Sequence, residues 1–352
     1  MKVKFSFLSF FSLLLLSLAL GFSACRDYDG GHGDPDTSAR YEQGVFVVNE
    51  GPFGGTGTIT WHDPATGETV QDIFGKANNG VALGQFVQSL TFHDGKGYIV
   101  VNGANRIVVV DANFEYIDTI GGLVLPRYLL AVDANTAWVS QWGLNGTAGS
   151  IAKVDLNTRK VLKTISLPGP EKMLLLGKSI LLVANSGGFG LDSTVSTISL
   201  ASETELSRKV VPGTSPGGFA QAPFQNDGPM VLCRGGFLPP TFTPLPGWVG
   251  SLSTGFGADL PNSIDDFCDA PDGKAAYFLG GGGIWAVDAA GIRKIFDQAA
   301  YGLACHPTTG DLYCADPKDF NSNGRVHIRK PDGTALGSFE CGIAPGEVVV
   351  RQ

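Results

Sequence analysis

Short β-branched apolar runs, four to six residues long and bounded by Gly, Asn, Asp or Pro, recur along the chain. Beyond the first 25 residues, no long segment carries apolar residues at the three-and-four spacing of an amphipathic helix. The pattern predicts an all-β fold of many short strands. The runs also repeat as units. Ile59 to Asp63 reads ITWHD, Ile107 to Asp111 IVVVD, Ile151 to Asp155 IAKVD and Ile284 to Asp288 IWAVD, each followed by a turn sequence. Weaker copies are Val195 to Ser199 and Val326 to Lys330. The copies end at 63, 111, 155, 199, 288 and 330, steps of 42 to 48 with one double step of 89. A degenerate copy is therefore expected near 244, where Trp248 and Val249 stand. Seven copies at this period predict a seven-bladed β-propeller of four-stranded antiparallel blades.

The second blade shows the register, with strands expected over 88–92, 98–102, 106–111 and 115–120. Blades three, four, six and seven follow over 128–167, 172–211, 264–295 and 303–339. Blade five, 218–256, is degenerate and carries a Pro-rich insertion over 235–247. The first blade lacks a first strand, because the chain enters the repeat at Val45 to Asn49, which matches second strands. Glu347 to Val350, after Pro345-Gly346, supplies the missing strand and closes the ring, which removes the exposed sheet edges.

The N-terminus reads differently. Lys2 and Lys4 precede an apolar stretch from Phe5 to Leu20, and Phe22-Ser23-Ala24-Cys25 resembles a bacterial lipobox. Residues 1–24 are expected to be a signal peptide, with Cys25 the lipidation site, 25–41 a flexible linker and 42–352 the propeller. Asp27, Asp29, Asp34 and Asp36 follow the lipobox, resembling the signal that sends some lipoproteins to the outer face of the outer membrane. The expected location is therefore the outer membrane, facing the cell exterior, held through the lipid alone.

Charge narrows the partners. The chain carries −8 overall, and −10 once Lys2 and Lys4 leave with the signal peptide, so nucleic acid is excluded as a partner. Five cysteines remain after Cys25: Cys233, Cys268, Cys305, Cys314 and Cys341. Their number is odd and their spacing fits no metal motif. Cys305 and Cys314 flank a hairpin turn, which leaves a disulfide or a pair of small buried thiols open.

No catalytic signature, metal motif or cofactor motif is present, so no enzymatic activity and no cofactor are implied. Asp319-x-Asn321-x-Asn323-Gly324 resembles the opening of a calcium loop, but Lys330 stands where the bidentate Glu is needed, and Asx turns explain the segment. The better signal is positional. The links between second and third strands all emerge on one face, opening on a recurring polar residue and often carrying an aromatic one. They bring Asn49, Glu50 and Phe53, Asn102, Gln141 and Trp142, Asn185 and Phe189, Arg234, and Asp316 with Phe320 to that face. Links between blades add Asn78, Asn79, Gln88, Arg127, Tyr128 and Tyr301. A ring of amides and aromatics on a rigid scaffold suits capture of a small-molecule ligand. The candidate ligand-binding residues are Asn49, Glu50, Phe53, Asn102, Arg127, Tyr128, Gln141, Trp142, Asn185, Phe189, Arg234 and Asp316.

VFVVNEGPFG (45–54), the IVVVD and IAKVDLNT repeats, LPRY (125–128) and GIAPGEVVV near the C-terminus resemble the surface-lipoprotein propellers of bacteroidete-type bacteria, within the wider YVTN/YncE-like seven-bladed family. The resemblance implies surface capture of a ligand, a corrinoid such as cobalamin in the best understood relatives, and hand-over to a TonB-dependent transporter. The blade-five insertion and the bare Gly280 to Gly283 loop depart from that pattern. Two other classes stay open on sequence: a propeller enzyme of the lactonase or lyase kind, and a protein-docking scaffold without a small ligand.

Overall fold

The computed structural model describes residues 40–220, 228–253, 257–260 and 264–352. The expected signal peptide, Cys25 and nearly all of the expected linker lie outside the described residues. The described chain forms seven four-stranded antiparallel sheets, each with its strands in the order of the chain except one. That one is the first blade. Gly44–Asn49, Thr58–His62 and Thr69–Val70 are completed by Pro345–Arg351, which pairs with Gly44–Asn49 so that Val45 faces Val350 and Val47 faces Val348. The inner strands of the remaining blades are Val87–His93, Pro126–Ala131, Pro170–Leu176, Pro216–Ala220, Ile264–Asp269 and Gly302–Cys305. Each inner strand touches the next around the ring, and the seventh touches the closing strand. The fold is a seven-bladed β-propeller.

Why the runs are continuously apolar is visible in the packing. Side chains alternate across a strand, and both faces of each blade are covered. In Gly44–Asn49, Phe46 and Val48 pack toward blade two, while Val45 and Val47 pack toward blade seven. In blade two, Ile99 and Val101 face blade one, and Tyr98 and Val100 face blade three. Seven apolar clusters result among the described residues, one at each blade-to-blade interface. No blade has a core of its own, so each depends on its neighbours.

In four of the blades an Asp closes the third strand and makes the following turn. Asp155 Oδ1 accepts from the backbone N–H groups of Asn157 (2.8 Å) and Thr158 (2.9 Å), and Asp63, Asp111 and Asp288 act in the same way. In blade six the link between second and third strands shrinks to Gly281-Gly282, both at positive φ (57° and 70°), the tight hairpin that only two glycines adopt freely. Blade five departs from the expected spacing. Its third strand, Trp248–Ser251, holds the expected Trp248 and Val249 and ends past position 244 because the link before it holds a small hairpin of Gly236–Leu238 and Thr243–Leu245.

All five described cysteines are free thiols. Cys305 stands opposite Leu312 and Cys314 opposite Leu303, so the two are not paired across their hairpin. Cys305 hydrogen-bonds Cys268 on the neighbouring blade instead. Asp319 closes its own turn, accepting from the N–H groups of Asn321 (3.0 Å) and Ser322 (2.8 Å) and from the Ser322 hydroxyl. Among the described residues no helix is long and apolar enough to cross a membrane.

Candidate functional site: a well at the ring axis

The inner strands begin irregularly, and the irregularity builds the site. In six of the seven, the register shifts at the head of the strand, between Val87 and Ser89, Pro126 and Leu129, Pro170 and Met173, Pro216 and Gly218, Ile264 and Phe267, and across Gly346. A bulge leaves one or two residues unpaired and re-aims them. The residues so released are Gln88, Arg127 and Tyr128, Glu171 and Lys172, Gly217, Asp265 and Asp266, and Gly346. Most of them line a cavity of about 360 Å³ at the ring axis. The links between second and third strands complete its mouth with Glu50, Asn102, Trp142, Phe189 and Arg234, and Phe86 and Tyr301 come from links between blades. Both kinds of link therefore reach one face, as the sequence register requires.

Two of the released positions are glycines, and each is covered from above by a charged residue that follows a second strand. At Gly217 an added Cβ would stand 2.8 Å from Arg234 Nε; at Gly346 it would stand 2.8 Å from Glu50 Oε1. The glycines leave room for these two side chains to lean into the well.

The charges divide by blade. Blades three, four and five carry Arg127, Lys172 and Arg234; blades six and one carry Asp265, Asp266, Glu50 and Glu347, with Tyr301 of blade seven between them. Arg127 is committed to its surroundings. Its Nε donates to the buried Glu171 (3.2 Å), its guanidinium also donates to Gln88, and it stacks 4.1 Å from the Trp142 ring. Lys172 Nζ donates to Asp266 Oδ1 (2.9 Å), whose other oxygen accepts the Leu303 N–H (3.0 Å). Burial alone would lower the Lys172 pKa, but Asp266, Tyr128 and Glu347 outweigh it and hold the ammonium charged. Burial also opposes the charge on Arg234, and Glu171, Tyr128 and Asp266 again prevail; the guanidinium hydrogen-bonds the Tyr128 hydroxyl.

The acidic side is short of cations. Burial raises Glu50, against the hydrogen bond that its Oε1 accepts from Tyr301 (3.1 Å). Asp265, at the mouth, is raised too, by partial desolvation against the pull of Arg234 and with the push of Asp266. Glu347 is pushed up to about 7, first by burial and against the attraction of Lys172 and the Leu90 N–H that its Oε2 accepts (2.8 Å). Two buried polar atoms of the wall have no hydrogen-bond partner among the described residues: Trp142 Nε1 and Glu171 Oε1.

Of the residues singled out from sequence, the well gathers Glu50, Gln88, Asn102, Arg127, Tyr128, Trp142, Phe189, Arg234 and Tyr301. Asn49, Gln141, Asn185, Asp316 and Phe53 do not line it. Asn49 and Asn185 are fully buried and tie neighbouring strands, Asn49 Nδ2 to Thr60 Oγ1 (3.0 Å) and Asn185 Nδ2 to Ser196 Oγ (2.8 Å). Gln141 accepts from the Val124 N–H (2.8 Å), and Asp316 accepts from the Lys318 N–H (2.8 Å). Phe53 is 94% exposed on the same face, its ring 6.1 Å from Phe86. Asn78 and Asn79 line a separate hollow beside the short helix Ile73–Ala77. Sequence reasoning missed Lys172, Asp265, Asp266, Glu347 and the supporting Glu171. Their signal was a charged pair at the head of an apolar run, as in Glu171-Lys172 and Asp265-Asp266.

Fold and site together define a seven-bladed propeller with a charged, aromatic-rimmed well on its axis. Residues 43–221, slightly more than half of the chain, match the family described as Domain of unknown function (DUF5074), and the chain belongs to that family. Solved structures share the fold at low identity. A quinonprotein alcohol dehydrogenase-like protein from Bacteroides thetaiotaomicron is 15% identical with a TM-score of 0.65, over 89% of this chain and 79% of that one. A candidate 6-phosphogluconolactonase from Bacteroides fragilis is 13% identical with a TM-score of 0.61, over 90% and 99%. Hydrazine synthase from Kuenenia stuttgartiensis is 15% identical with a TM-score of 0.59, over 76% and 92%. No curated protein matches the chain. At these identities the likeness concerns the fold alone.

Proposed function

We propose that this protein captures a small polar ligand in its axial well, without covalent chemistry, on a bacterial cell surface to which a lipid on Cys25 anchors it. One observation carries the reading. Five of the seven inner strands, all bulged at the head, deliver polar and aromatic side chains to one cavity, whose volume falls at the lower end of the range for ligand pockets. The surface location rests on the lipobox and the acidic residues after it.

A finer form, capture of a corrinoid for a TonB-dependent transporter, draws on the resemblance of residues 45–54 and 125–128 to the surface-lipoprotein propellers. A corrin macrocycle with its nucleotide arm is larger than the well. It would rest on the exposed rim rings Phe53, Phe189, Phe237 and Phe320 and send only an amide arm inward. The same rim would serve a docking scaffold.

The test is calorimetric titration of the whole protein with corrinoids and with small polar metabolites. Saturable binding that is lost when Trp142→Ala and Arg234→Met are combined supports capture, and a flat titration with every compound rejects it. Intact mass of the exported protein, with and without Cys25→Ser, reads the lipid.

A second reading, catalysis, is favoured by Glu347. A carboxyl near 7 beside a charged lysine is placed for proton transfer, and perturbed groups in clefts mark functional sites. Under this reading Glu347→Gln abolishes turnover of a lactone or uronate substrate while leaving its binding intact.

A further inference from the structure

Resting on the capture reading, we propose that the ligand is a zwitterion of amino-acid dimensions: its carboxylate meets Arg234, its ammonium lies between Glu50 and Asp265, and its apolar part faces Trp142 and Phe189.

The well's charges are not equally available. Arg127 is occupied by Glu171, Gln88 and the Trp142 ring, and Lys172 by Asp266. Glu347 and Asp266 each hold a backbone N–H of the next blade. What remains is one cation and two carboxylates. Arg234 has the Tyr128 hydroxyl as its side-chain partner. Glu50 has the Tyr301 hydroxyl. Asp265 is exposed at the mouth and has no side-chain hydrogen bond among the described residues.

These three groups form one unit. Arg234 acts electrostatically on both Glu50 and Asp265, yet it forms a salt bridge with neither. A guanidinium outside any salt bridge among the described residues, within the field of two carboxylates that also make none, leaves a gap that a molecule bearing both signs fills. A lone anion would leave both carboxylates without a direct cationic partner, and a lone cation would leave Arg234 without a direct anionic one. Burial disfavours the charged form of Glu50, and an ammonium between Glu50 and Asp265 reverses that.

The seating of two of the three groups points the same way. Arg234 and Glu50 lie over glycines, so any larger residue at 217 or 346 would crowd them. On the basic side the wall is aromatic. Trp142 and Phe189 pack edge to face at 5.3 Å between centroids, a surface suited to an apolar or aromatic side chain. A cavity of about 360 Å³ admits an amino acid or a dipeptide.

Calorimetry on the whole protein with L-phenylalanine, L-leucine, phenylpropanoate and phenethylamine tests this. Phenylpropanoate lacks the ammonium and phenethylamine the carboxylate. The zwitterions should bind, and each analogue should bind at least about tenfold more weakly than phenylalanine, the loss expected for one charge-assisted contact. Arg234→Met should weaken phenylalanine and leave phenethylamine unchanged. Asp265→Asn and, separately, Glu50→Gln should weaken phenylalanine and phenethylamine but not phenylpropanoate, with circular dichroism confirming each fold. Equal affinity for phenylalanine and both analogues, or no binding of either amino acid, overturns the proposal. If the amino acids fail while a corrinoid binds and loses affinity on Trp142→Ala, the zwitterion is wrong and capture stands. If nothing binds, both fall.

Discussion

Arg234 lies across Gly217, its Nε 2.8 Å from where a Cβ would stand. Glu50 has the same relation to Gly346, so the propeller repeats one device with opposite charge in blades five and one. Alanine at 217 should therefore displace the arginine. Gly217→Ala is expected to fold, because the obstructing atoms belong to a flexible side chain, and to cost no more than about 1 kcal/mol. Its ligand affinity should fall toward that of Arg234→Met. Thermal melts and calorimetry on both variants check this.

Stability should depend on pH through Glu347. Its carboxyl titrates near 7 in the folded protein against 4.5 as the reference value, so the folded state binds the proton more tightly than the unfolded chain does. The associated stability is fully present below about 4.5 and is lost as pH rises through about 7, at most about 3 kcal/mol over that window. Glu347→Gln keeps an acceptor for the Leu90 N–H and should flatten this dependence. Denaturant midpoints between pH 5 and 8 read the slope, and an unchanged slope in the variant rejects the assignment.

Removing residues 345–352 should destabilise the entire ring. Val348 and Val350 pack in the cluster between blades seven and one, and Val349 packs against that between blades one and two. Losing three such side chains costs roughly 5 kcal/mol before the newly exposed edge of Gly44–Asn49 is counted. A single cooperative transition at much lower temperature is expected. Loss of protection confined to blade one in hydrogen exchange would contradict the interdependence of the blades.

The thiols should react unequally. The hydrogen bond from Cys268 lowers Cys305, whereas burial pushes Cys233, Cys314 and Cys341 up to about 12. Iodoacetamide should modify Cys305 first in the native protein and reach the other three only on unfolding. Cys268→Ala should slow the reaction of Cys305. Peptide mass spectrometry over time follows each site.

The ring was legible in the sequence because every blade is covered on both faces. That condition writes unbroken apolar runs such as Ile107 to Val110, and the need to turn afterwards writes the closing Asp111. The closing strand was legible for a related reason, since Val45 to Asn49 has the register of a second strand and lacks a first. The well was legible only in part. Arg127 and Tyr128 stand out in LPRY, but Lys172, Asp266 and Glu347 sit inside segments that read as inner-strand core. Nothing in alternation announces a bulge, and here the bulge decides where a side chain points. The amides misled in the other direction. Asn49 and Asn185 occupy the expected strand ends, yet their side chains serve the adjacent strand, a use that sequence does not separate from ligand binding.

Sharing blade one between the two ends of the chain also sets an order of assembly. Six blades draw their strands from consecutive stretches, so their strand pairings can be made as each stretch becomes available, whereas the first must wait for partners about 300 positions downstream. Glu50, Gly346 and Glu347 all belong to that late blade. A molecule halted before residue 345 would lose Gly346 and Glu347 from the well and the strand beneath Glu50, leaving Asp265 and Asp266 alone on the acidic side, so the well is finished only when the last strand docks.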